Sequence, residues 1–304
     1  MRSSIPHVAL LSATLVAWSC AGDPAADDGA APAGNEPLFE EAGPDVIHDD
    51  GASVAVPPPG TSVITEAIFV DGRTKLLQVD TDDDGQPTLV DHDVAAPPEG
   101  TLAACVKPAA CEDGAYSLTG HKWSATYRWW FDGASTPSEI TAANAEAQLR
   151  SAAVNVTRSD NSCGFADLVD ATSAFQGRTS SRPNITAAGT CATADGTSVV
   201  GFGDLPAGVL GVACTWTVNG VAVESDVQLN KVDHNWFTGA VPSNCANRFS
   251  LQAVATHEFG HTFGLGHVAE CGHGQLTMST QITACSAAAS SLGRGDVRAL
   301  RAVY

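Results

Sequence analysis

The stretch Ala253-Val254-Ala255-Thr256-His257-Glu258-Phe259-Gly260-His261-Thr262-Phe263-Gly264-Leu265-Gly266-His267 decides the reading of this 304-residue chain. If it is helical through His261, then His257 and His261, four residues apart, share one face and present two imidazole nitrogens to a single metal ion. Glu258 falls about a hundred degrees further round, where it acts on a water instead of competing as a ligand. Gly264 ends such a helix through a left-handed backbone conformation that a side chain penalises. The turn brings His267 back as a third ligand. Three neutral nitrogens leave a fourth tetrahedral position open, the arrangement of a catalytic zinc and not of a closed structural one. A chance His-Glu-x-x-His arises in roughly one chain in a hundred, and the added Gly and His make it about 500-fold rarer. Histidines on a polar surface helix would not be set among Val254, Phe259, Phe263 and Leu265.

Downstream, Leu276-Thr277-Met278-Ser279 carries the one methionine besides the initiator. The whole pattern resembles the metzincin metallopeptidases, in which such a methionine forms a hydrophobic floor under the zinc. Within them it is most similar to the matrixins. Arg248-Phe249-Ser250-Leu251 leads into the zinc helix, Leu292 to Tyr304 resembles the family's closing helix, and Lys122-Trp123-Ser124-Ala125-Thr126-Tyr127-Arg128 its opening strand. The resemblance implies an α+β fold: a twisted mixed β-sheet, a central zinc-binding helix and a C-terminal helix, preceded by a small β-rich pro-segment. It implies a zinc-dependent endopeptidase with one catalytic zinc on His257, His261 and His267, Glu258 as general base, Met278 beneath, and a protein or peptide as substrate. Three positions depart from the matrixin pattern. Val268 stands where Ser is common, the insert between His267 and Met278 carries Cys271 and His273, and Gln228 stands where a structural-zinc histidine would align.

The composition excludes other classes. The net charge of −19 argues against nucleic acid, whose phosphates require Lys and Arg. Met1-Arg2 followed by the apolar run Val8 to Ala17 reads as an export signal, too short to span a membrane. Cys20 closes the run as the lipidated cysteine of a bacterial lipoprotein does, so residues 1–20 predict either a lipid-anchored envelope protein or a simply secreted one. Residues 21–60 are rich in Ala, Gly, Pro and acidic side chains without a Lys or Arg, and predict a disordered spacer. Membrane contact is expected only through the N-terminal anchor, and the protein is expected to be a monomer.

Residues 61–115 predict the β-rich pro-segment, with strands at Val63 to Val70, Lys75 to Val79 and Thr88 to Val90 broken at Asp71-Gly72 and Asp84-Gly85. Within it Asp80, Asp82, Asp84 and Asp91 follow the spacing of a calcium loop, although Pro87 is unusual there and no helices flank it; an acidic hairpin turn is the competing reading. The catalytic domain is expected over 116–304. Thr136-Pro137-Ser138-Glu139 predicts a helix from about Pro137 to Ala153. By resemblance, Gly208 to Ala213 is the edge strand of the cleft, where Leu210, Gly211, Val212 and Ala213 pair with an extended substrate through main-chain hydrogen bonds.

Of the nine cysteines, eight remain besides Cys20: Cys105, Cys111, Cys163, Cys191, Cys214, Cys245, Cys271 and Cys285. An even set in an exported chain favours disulfides, and of the 105 pairings the sequential one is the simplest. Cys105 or Cys111 also lies where matrixin pro-segments carry a metal-capping cysteine, but without the Pro-Arg-Cys-Gly pattern around it; a carboxylate of the pro-segment would serve the same end. Two other functions compete: a non-catalytic surface binding module that keeps zinc for structure, and a protease with one narrow target.

Overall fold

The computed structural model describes residues 46–49, 52–92 and 105–304. The export signal with Cys20, and the spacer up to residue 45, lie outside the described residues. From residue 46 the chain forms strands β1 (Val46–Asp49) and β2 (Ala52–Ala55), then β3 (Thr61–Phe69), β4 (Thr74–Thr81) and β5 (Pro87–Asp91). Next come β6 (Ser117–Leu118), β7 (Tyr127–Phe131), helix α1 (Ala142–Thr157), β8 (Ser173–Arg178), β9 (Thr190–Cys191), β10 (Ser198–Gly203), β11 (Val209–Val218) and β12 (Val221–Asn230). Short strands β13 (Asn235–Phe237) and β14 (Arg248–Ser250) lead into α2 (Leu251–Thr262), followed by β15 (Leu265–Gly266), α3 (Glu270–His273) and α4 (Arg294–Val303).

Eight strands make one mixed sheet in the order β5-β4-β3-β11-β12-β10-β7-β8. Strands β8, β7, β10 and β12 run parallel, and β11 turns back antiparallel to β12. The fold is therefore α+β, as expected. One core lies between the sheet and the helices and gathers Trp129, Phe131, Leu149, Leu229, Val254 and Phe259. A second gathers Val54, Val63, Leu77, Val79, Val212 and Trp216, with β2 packed over it. Because side chains alternate along a strand, Ala213 serves the first core while Val212 and Cys214 serve the second.

Three expectations are corrected here. The β-rich segment is not a small unit in front of the catalytic sheet but continuous with it, since β3 pairs antiparallel with β11 from Thr61↔Val218 to Phe69↔Val209. The reason is legible in β3, which is buried without a break from Val63 to Phe69. A lone three-stranded meander has no second face on which to bury such a run, each large apolar side chain of which is worth about 1.5–3 kcal/mol when covered. Residues 46–49 and 52–60 likewise are not spacer: β1 pairs with β2, and Ala52 and Val54 pack into the second core. Helix α1 starts at Ala142 instead of Pro137: Thr141 accepts from the Asn144 N–H as the cap, while the Glu139 carboxylate is drawn off to the N–H of Trp236.

The sequential disulfide pairing is also overturned. The bonds are Cys105–Cys271, Cys111–Cys163, Cys191–Cys214 and Cys245–Cys285. Neighbours in sequence are carried apart by the sheet, and the segment from Cys105 crosses to the insert after His267. There Lys107 pairs with Glu270, and the Asp113 carboxylate meets His273 Nδ1 at 2.9 Å. Cys105 and Cys111 are therefore structural, and neither caps a metal. Among the described residues no helix is long and apolar enough to cross a membrane.

Candidate metal centre

Helix α2 (Leu251–Thr262) carries Leu251, Val254 and Phe259 beside buried polar side chains, and it is enclosed on all sides. Every residue of it except Gln252 is buried. Ser250 caps it by accepting from the Ala253 N–H. At its far end Gly264 takes φ +89°, and a Cβ there would stand 2.3 Å from the His121 carbonyl oxygen. The turn the sequence predicts is thus doubly enforced, by backbone conformation and by space. Gly264→Ala is expected to lower stability by about 2 kcal/mol or more, read as a shifted urea midpoint; an unshifted midpoint would refute this account of the turn.

Beyond the turn, β15 pairs with β6 and delivers His267. The Nε2 atoms of His257 and His261 are 3.0 Å apart, those of His257 and His267 3.2 Å, and those of His261 and His267 3.1 Å. His257 Nδ1 donates to the Thr277 carbonyl at 2.8 Å and His261 Nδ1 to the Leu265 carbonyl at 2.9 Å. Those bonds fix the tautomers, so the two Nε2 atoms carry lone pairs and face each other without a proton to share. Burial holds the His261 ring well below the usual imidazole range, against the pull of Glu66. Converging lone pairs suit a cation. Ligand atoms of a tetrahedral zinc stand about 3.3 Å apart, close to the spacing found.

A fourth group completes the cluster. Glu66, on β3, places Oε1 3.1 Å from His267 Nε2, 3.6 Å from His261 Nε2 and 3.7 Å from His257 Nε2. Among the described residues, Glu66 and the three histidines form the group suited to hold a metal. Both carboxylate oxygens lack a hydrogen-bond partner of good geometry, and the charge faces the ring nitrogens and the neighbouring Glu258 carboxyl. Burial opposes ionisation, yet the histidines around it, His261 foremost, hold the Glu66 carboxyl well below the ordinary carboxylate value. Glu258 is the opposite case: burial, and then the charge of Glu66, push its carboxyl well above that value. Its Oε1 packs against β11, 2.5 Å from where a Cβ on Gly211 would stand.

The Met278 sulfur rests on Gly260 of α2. The Met278 carbonyl accepts from the Val268 N–H at 2.9 Å. The strand segment Leu210 to Ala213 borders the site but is not a free edge, because β3 already pairs along it. Asp80, Asp82, Asp84 and Asp91 are not brought together. Asp82 Oδ1 instead accepts the N–H groups of Asp84 and Gln86 within the β4–β5 turn, and Asp91 faces Lys75.

Two residues of the centre escaped the sequence reading. Glu66 had a signal, since a lone carboxylate inside the apolar run Val63 to Val70 must meet a partner when the strand is buried. Asp296, wholly buried on α4, accepts from the N–H groups of Thr277 and Met278, holding the turn under the histidines. Burial pushes its carboxyl up, against the N–H donors that favour the charged form. Residues 195–304, about the last third of the chain, match the model of the matrixin family. No curated protein matches the chain.

Proposed function

We propose that this protein is an exported, zinc-dependent endopeptidase, a reading supported by the match of residues 195–304 to the matrixin family model. The observation that carries the reading is the convergence of three histidine Nε2 atoms, two with their tautomers fixed from behind, one residue away from a buried carboxylate. His257, His261 and His267 would hold a zinc ion, which when bound would supply Lewis acidity for the scissile carbonyl and for a water. Glu258 would serve as the base, accepting a proton from the attacking water and returning it to the leaving amine. Its burial against Gly211 keeps it off the ligand set and beside the strand along which an extended substrate would pair. Export fits four disulfides within 105–304, which persist in oxidising compartments.

The deciding experiment offers a diverse peptide library to the chain carrying Glu66→Ala, with and without a zinc chelator. Chelator-sensitive cleavage supports the reading. A chain that holds zinc yet cuts no peptide rejects it in favour of a binding module. Removing the metal should also loosen the fold, because a site bound only in the native state adds about 4 kcal/mol at a thousandfold excess over its dissociation constant. Calorimetry of chelated and zinc-loaded protein is expected to show a clear fall in Tm, and equal values would mean that no metal binds there.

A further inference from the structure

The turn from His261 to His267 is held from outside by Ser117 to Trp123, residues that the family match over 195–304 does not include. An α-helix leaves its last four carbonyls without helical donors. In α2 three of these are met by the turn itself: the Phe263 N–H reaches the Phe259 and Gly260 carbonyls, and the Gly264 N–H reaches that of His261 at 2.9 Å. The fourth, on Thr262, is met by side chains. Trp123 Nε1 donates to it at 2.8 Å and His121 Nε2 at 3.3 Å. A carbonyl oxygen can only accept, so the His121 proton sits on Nε2, and Nδ1 accepts from the Thr119 hydroxyl at 2.8 Å. Backbone contacts continue the support. The Thr119 N–H donates to the Gly264 carbonyl at 3.0 Å, the His121 carbonyl packs against Gly264, and Leu118 and Ser117 pair with Leu265 and Gly266.

We propose that His121 and Trp123 are positioning residues of the metal centre, fixing through the Thr262 carbonyl the direction in which α2 ends and so the place where His267 meets His257 and His261. The inference rests on the metallopeptidase reading of the three histidines and names residues outside the helix that set their geometry. His257 and His261 share α2 and keep their spacing whatever the turn does. His267 does not, because its place depends on the path from Thr262 to Gly266. An error there moves one nitrogen against the other two, and a ligand constellation has to be held within about 0.5 Å of its working geometry. The second ring follows the same path, since His261 Nδ1 donates to the carbonyl of Leu265, which pairs with Leu118. Both donors are themselves held. His121 is buried, while Trp123 lies 4.9 Å from the Tyr127 ring and gives its backbone N–H to the Tyr304 hydroxyl at 3.1 Å. Thr262 is braced from its other side as well: its Oγ1 meets Ser225 Oγ at 3.0 Å, and that hydroxyl meets Thr215 Oγ1 on β11 at 2.9 Å. A carbonyl buried without donors is costly, so without the two rings the end of α2 has to shift to find others.

The test is read on the metal in the full chain, by chelator competition for zinc and by the visible spectrum of the cobalt(II) form, at a temperature where every variant is folded. Trp123→Phe keeps a ring against Tyr127 and removes the N–H; His121→Leu removes the second donor. The double variant is expected to bind zinc at least ~10-fold more weakly than wild type and to show displaced cobalt bands, with each single variant in between. His121→Gln, whose amide nitrogen can stand in for Nε2, should stay within about threefold of wild type, a rescue that general loosening of the fold does not give. If the leucine variant does not fold, Trp123→Phe, which takes away the shorter bond, carries the test by the same two readings. Variants with a lowered Tm but wild-type zinc affinity and cobalt spectrum overturn the proposal, because residues 117–123 would then brace the fold without setting the centre. A displaced spectrum in a protein that cuts no peptide once Glu66→Ala is added upholds the positioning role and rejects the peptidase reading. A wild-type chain that takes up no cobalt overturns both.

Discussion

Glu258→Gln, introduced into a chain already carrying Glu66→Ala, is expected to keep its full zinc content and lose about 10²- to 10⁴-fold of its peptide hydrolysis. The substitution is close to neutral in shape. That matters here, because Glu258 is wholly buried and its Oε1 packs where Gly211 leaves no room for a Cβ. Glutamine fills the same volume against the same strand but cannot accept a proton from water or return it to an amine. The three ring nitrogens are untouched, and the Nδ1 bonds of His257 and His261 to Thr277 and Leu265 still hold them. Zinc measured by elemental analysis should therefore match the parent, while turnover collapses. If hydrolysis stays within about tenfold of the parent, some other group is the base and the role of Glu258 is wrong. If zinc is lost together with activity, the change has disturbed the centre, and Glu258→Asp, smaller and still basic, then separates geometry from chemistry.

The part of this molecule legible in sequence is the part in which spacing along one element dictates position. His257 and His261 meet because a helix repeats nearly every four residues, and Gly264 ends that helix because only a residue without a side chain fits beneath the His121 carbonyl. Met278 could be placed by its resemblance to a known floor. What stayed hidden depends on pairing between distant strands. Nothing local in Thr61–Phe69 says that it will lie beside Val209–Val218 instead of closing a meander of its own. Only the unbroken burial of both faces demands a partner, and that demand does not name one. The disulfides follow the same logic: Cys105 and Cys271 are 166 positions apart and meet only in the folded chain, which no spacing encodes. Glu66 was readable as an anomaly, a carboxylate in an apolar strand, yet its target became visible only with the register of β3 on β11.

Asp296→Ala is expected to cost about 3–5 kcal/mol of stability and to weaken zinc binding about 10- to 100-fold. Asp296 touches no ligand, so the effect has to travel. Its carboxylate accepts the N–H of Thr277 at 2.9 Å, of Met278 at 3.2 Å and of Gly293 at 2.8 Å, all in the interior. The carbonyl of that same Thr277 receives the Nδ1–H of His257 at 2.8 Å. One residue thus ties a buried charge on α4 to the orientation of a metal-facing ring, and hydrogen bonds in such a chain polarise and strengthen one another. Alanine leaves three buried donors without an acceptor, each costing about 1–3 kcal/mol unless water reaches it, and frees the turn that carries Met278 and anchors His257. Asp296→Asn retains one acceptor oxygen without the charge and should fall between alanine and the parent. Zinc affinity, measured by chelator competition at a temperature where every variant is folded, separates positioning from mere support of the fold. A lowered Tm with unaltered affinity would mean that Asp296 braces the helix alone, and that Thr277 holds His257 in place without it.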